Sequence, residues 1–135
     1  MMAALLADMN DTEKALQQAG DALADIGKNF ADGVATLKTA ADWVLQRSDQ
    51  PEVLDSVAFD FLMLSSYVTA SWLMSTKALA ANQEILAGNS DLDFYQASLA
   101  TAGFFNSNLL PRAQSHWLAI QAGSAPMLAL NEDQF

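Results

Sequence analysis

Apolar residues recur at steps of three or four along the first third of the chain: Leu16, Ala19, Leu23, Ile26, Phe30, Val34, Leu37, Ala41 and Val44. That spacing is the stripe of an amphipathic helix with one face on a core. Asp21, Asp25, Asp32 and Asp42 fall off the stripe, on the side that water takes. Gly20, Gly27 and Gly33 lie within the segment, and each costs about 1 kcal/mol relative to Ala in a helix interior. Gly20 and Gly27 adjoin the stripe and offer close approach to another helix, whereas a break near Gly33 would split the segment in two.

A second segment opens at Ser48-Asp49-Gln50-Pro51, which pairs capping side chains with a proline suited to a first helical turn. It runs to about Ala87, and Gly88 stops it. Its core stripe is Leu54, Val57, Phe61, Leu64, Val68, Trp72, Ser75 and Leu79. The opposite side carries Met63, Tyr67 and Met74 where water would be expected. A helix apolar nearly all round is either central in its bundle or meets something further with its second face. These three residues are therefore the candidate interface. Ser90 and Asp93 form a variant capping box for a third segment, with Phe94, Tyr95, Leu99, Ala102, Phe105, Leu109 and Leu110 as its apolar set. Pro111 kinks it by removing a donor and crowding the Ser107 carbonyl, and Gly123 ends it. At 1.5 Å per residue the three segments are each on the order of 50 Å long. Similar lengths joined by short turns predict an all-α fold: an antiparallel bundle of three long helices, or four if the first is broken, with a short C-terminal tail. Residues 1–135 form one such domain.

Composition narrows the partners. The chain has 52% hydrophobic and 16% charged residues and no cysteine. It is too apolar to be disordered and holds no disulfide or thiolate chemistry; the absence of cysteine suits a cytoplasmic location. The net charge of −10 repels phosphate backbones and anionic bilayers, so neither nucleic acid nor a membrane is an expected partner. The uncharged stretch of the second segment, residues 61–76, is shorter than the roughly 20 residues of a spanning helix and is rich in serine. The N-terminus lacks the basic start of a signal peptide.

Little chemistry is written in the residues. His116 is the only histidine, and a lone histidine is a structural or solvated group unless a partner positions it. No Glu-x-x-His pair, glycine-rich phosphate loop or Gly-x-Ser-x-Gly elbow occurs, so no catalytic, cofactor-binding or metal-binding residue is assigned. Asp21 with Asp25, Asp91 with Asp93, and Glu84 fit helix faces and ends. Trp43, Trp72 and Trp117 have the helical spacing of packing residues.

The last third, DFYQASLATAGFFNSNLLPRAQSHWLAIQAGSAPMLALNEDQF, sets an aromatic-rich helix, a Leu-Leu-Pro-Arg step, a glycine stop and an acidic tail closing on Phe135 in that order. This order resembles the extreme C-terminus of a subgroup of acyl-CoA dehydrogenases that carry an extra helical domain after the dehydrogenase fold. The likeness extends to the stretch from Tyr67 to Trp72 and to Lys77-Ala78-Leu79-Ala80-Ala81. The family often has Lys where this chain has Ser98, and Arg where it has Gly103. The resemblance implies that FAD and a catalytic Glu lie in a preceding dehydrogenase fold, that an acyl-CoA is the parent's substrate, and that Phe135 is a natural end. This domain would then be non-catalytic: it would pack on the main fold, shape a homo-oligomer or cover the substrate entrance. The alternative is a stand-alone helical interaction or dimerisation module, in which the Met63/Tyr67/Met74 face closes on a second copy. An apolar-ligand carrier would need an enclosed cavity between the helices.

Overall fold

The computed structural model describes residues 1–134; Phe135, and with it the expectation of a natural end there, lies outside the described residues. Helices α1 (Met2–Gln18), α2 (Ala24–Leu45), α3 (Pro51–Leu86), α4 (Leu92–Phe104) and α5 (Arg112–Ala122) follow one another, and no strand forms among the described residues. The fold is the expected all-α bundle. It has four rods, because the first segment is broken and because α4 and α5 are two halves of one.

The break falls at Gly20 and not near Gly33. Gly20 takes φ +79 and ψ −161, a conformation open in practice to glycine alone. The chain reverses there: a Cβ on Gly27 would lie 3.3 Å from the Cβ of Leu16, whereas eleven residues of continuous helix would separate them by about 16 Å. Gly27 is thus the contact that lets α1 fold back along α2. Gly33 stays helical, and its missing side chain makes room for Leu110, whose Cδ1 lies 3.0 Å from where a Cβ would stand. The Trp72 indole N–H donates to Thr12 Oγ1 at 2.8 Å, which ties α1 to the middle of α3.

Short turns set α2, α3 and the α4–α5 rod antiparallel. Pro51 occupies the first turn of α3 as expected, but neither Gln50 nor its neighbours cap that end through a side chain. The C-terminus of α3 closes in a Schellman motif: the N–H of Asn89 bonds Glu84 O, and that of Gly88, at φ +76, bonds Ile85 O. The capping box expected from Ser90 and Asp93 does not form. Asp91 is the N-cap residue of α4 and makes no side-chain cap bond; its N–H is taken by Asn89 Oδ1 at 3.3 Å. The turn set by Gly88 brings Asn89 into reach first.

Pro111 interrupts the last rod as its ring demands. The preceding residues Phe105–Leu109 widen into a π turn, with Leu110 N–H bonded to Phe105 O at 3.0 Å, and α5 resumes at Arg112. Phe30, Leu37, Leu64, Val68 and Ile120 are fully enclosed at the centre, joined by Met9, Leu16 and Leu23 from the hairpin of α1 with α2. α3 touches α1, α2, α4 and α5 and is the hub of the bundle.

Candidate functional site

α3 has work for only part of its circumference. Val57, Leu64, Val68, Ser71, Ser75 and Ala78 are buried against the other rods. On the far side Phe59, Leu62, Ser66, Thr69 and Leu73 alternate by three and four, so they share one outward face. Phe59 is 66% exposed, Leu62 62% and Leu73 61%. No charged residue lies between Asp60 and Lys77. The strip is therefore uncharged, with three large apolar and two hydroxyl side chains along about 21 Å of helix. By length and apolarity α3 could also cross a membrane, although only 22% of its most apolar window is buried within the bundle. Its buried side carries the core of the bundle.

The three interface candidates flank this strip. Met63 is half-buried at its edge. Tyr67 and Met74 are half-buried too, and both lean on the core cluster. Tyr67 stacks on His116 of α5 with ring centroids 5.9 Å apart. Phe59, Leu62 and Leu73 were not singled out from the sequence, because the apolar stripe on the core side dominates the pattern. Their own three-four spacing was the available signal.

His116 has the partner that positions it. Its Nδ1 lies 2.8 Å from Asp60 Oδ1, and Phe59 meets the ring edge-on at 6.3 Å. A carboxylate only accepts, so Nδ1 carries the proton of this bond. The pair bolts α5 to α3 over a separation of 56 residues that no local pattern reveals. The second polar link is deeper: Ser71 Oγ donates to Asn106 Oδ1 at 2.6 Å, and Asn106 Nδ2 donates to Ala102 O at 2.9 Å. Asn106 belongs to the π turn and is fully buried. Ser75, one turn below Ser71, is buried with no partner.

The remaining candidates are accounted for by structure. Glu84 Oε2 accepts from Asn89 Nδ2 at 2.8 Å and helps close the end of α3. Trp43 lies under the Arg47 guanidinium at 3.8 Å. Trp117 packs half-buried on the core. Asp21, Asp25, Asp91 and Asp93 are exposed. No group of three potential metal ligands occurs among the described residues. The clefts are open and shallow. One of about 370 Å³, lined by Val44, Leu54, Val57, Phe61 and Leu62, is apolar and runs into the outer strip of α3. Another of about 190 Å³ is lined by polar Asn29, Asp32, Thr36 and Gln114 together with apolar Leu110, Pro111 and Ala113.

Comparison with known proteins adds what these residues do not carry. The family described as acetyl-CoA dehydrogenase C-terminal like matches residues 5–131. The 3-methylmercaptopropionyl-CoA dehydrogenase of Ruegeria pomeroyi is 32% identical over 100 residues, which cover 73% of this chain and 17% of that protein. The chain thus spans about a sixth of the length of the relative it matches.

Proposed function

This chain belongs to the family of acyl-CoA dehydrogenase C-terminal domains, and from that premise we propose that it is a non-catalytic domain of an FAD-dependent acyl-CoA dehydrogenase. In this reading residues 1–135 are one bundle at the end of a longer cytoplasmic flavoenzyme, which takes hydrogen from an acyl-CoA. The domain packs on the enzyme's main fold and supports its assembly, as a homo-oligomer in the simplest case. The observation that carries the reading is a family match over nearly the whole of a chain that spans 17% of its relative. The sparse chemistry accords with it. His116 and Asp60 are spent on holding α5 to α3, and Glu84 on a helix end.

The residues of this chain do not themselves fit a flavin. Its clefts are open dimples, and the Trp43 and Trp72 rings are committed to Arg47 and Thr12. FAD, the catalytic base and the acyl-CoA site are therefore assigned to the remainder of the enzyme, and no reaction step is placed here.

The test is the native gene product. A large polypeptide that ends in this segment and copurifies with a yellow flavin is the expected result. A colourless product near 14.5 kDa would overturn the reading and leave the stand-alone dimerisation module.

A further inference from the structure

We propose that the outer face of α3, centred on Leu62, Ser66 and Leu73, is the surface on which this bundle docks in cis against the body of its own dehydrogenase. This rests on the domain reading above and goes further by naming the surface and the partner. The face exposes Leu62, Ser66 and Leu73 and carries no charge over residues 61–73, while Leu64, Val68 and Ser71 on the opposite side of α3 are buried in the core. The relative matched over 100 residues has more than four-fifths of its length outside the match, so a large body on the same polypeptide is at hand.

Size and charge decide between the occupants. The strip is about 21 Å by about 10 Å, a footprint on the order of 200 Å². A stable interface between free molecules takes about 800 Å² on each side. Even with the adjoining dimple at Val44, Leu54 and Phe61, the face is small for a free dimer. Two copies would also bring together chains of net charge −10 each. The same charge disfavours an anionic bilayer. A tethered partner escapes both limits. Covalent linkage supplies an effective concentration in the millimolar range, at which a small apolar face suffices. The partner surface should be apolar at its centre. Opposite Glu52 and Asp55, which extend the strip at the N-terminal end of α3, it should be basic.

The chain has no cysteine, so Ser66→Cys places one reporter thiol in the middle of the exposed strip. Its labelling by a maleimide is followed by mass spectrometry of the α3 peptide, in the 135-residue chain and in the full flavin-bound polypeptide. At least tenfold slower labelling in the full polypeptide is expected. Leu62→Asp with Leu73→Asp should restore fast labelling there while leaving the helicity of the 135-residue chain unchanged. Equal rates in a yellow full-length protein would overturn the docking surface and leave the domain reading intact. A native product of about 14.5 kDa without flavin would overturn both. Protection in the 135-residue chain alone, together with a doubled mass, would overturn the cis proposal in favour of a second copy.

Discussion

Ser71 and Ser75 sit one turn apart on α3, and both are fully buried. Ser71 donates to Asn106, whereas Ser75 finds no partner. Removing one half of a buried hydrogen bond leaves the other half desolvated, at about 1–3 kcal/mol. Removing a hydroxyl that has no partner takes away a desolvation penalty instead. Urea denaturation should therefore show Ser71→Ala less stable by about 1–3 kcal/mol. Ser75→Ala should be neutral or more stable, and a loss as large as that of Ser71→Ala would mean that Ser75 has a partner after all. Neither role was legible in the sequence. Ser75 falls in the α3 core stripe by spacing, but the partner of Ser71 lies 35 residues away, in a turn whose π geometry no periodicity announces.

Glycines decide where the elements begin and end. Gly20, Gly27 and Gly33 look alike as helix interruptions, yet only Gly20 takes a positive φ. The other two are helical and yield space, to Leu16 and to Leu110. Gly20→Ala places a Cβ in a backbone conformation that costs about 1–3 kcal/mol, so the melting temperature should drop. Open space surrounds that position, so backbone strain is the only source of the loss. A variant that melts with the parent would show that the turn re-forms in another conformation. The hairpin of α1 with α2 was the part of the fold least visible in the sequence. The apolar stripe runs through Gly20 without a change of period, because both arms of the hairpin face the same core.

At the scale of the whole molecule, the bundle buries its core and leaves large apolar side chains outside it, in a row on one side of α3 and singly on other elements, such as Phe94 and Phe104 of α4 and Leu118 of α5. Substitutions in the α3 row should be nearly silent in the isolated chain. Leu62→Asp with Leu73→Asp is expected to change its unfolding free energy, read from urea denaturation, by no more than about 0.5 kcal/mol per site, the usual range for surface positions. A loss of several kcal/mol would mean that the strip is part of the core. The same face explains why Met63, Tyr67 and Met74 stand out in the sequence. They lie beside it, and Tyr67 is drawn inward by the His116 ring. A helix that is apolar nearly all round announces a second contact, but only the packing of α4 and α5 shows which part of its circumference is already taken.

The sequence by itself determined the helical class, the core stripes, the proline start at Pro51, the glycine stops at Gly88 and Gly123, and the family, because these follow from spacing and local backbone preference along one chain. Tertiary structure alone decided that the first segment doubles back at Gly20, that Asn106 answers Ser71 and Asp60 answers His116, and that Phe59, Leu62 and Leu73 remain uncovered. Each of these depends on which surfaces meet across dozens of residues. A period of 3.6 records that a face is apolar, but not which neighbour, if any, covers it.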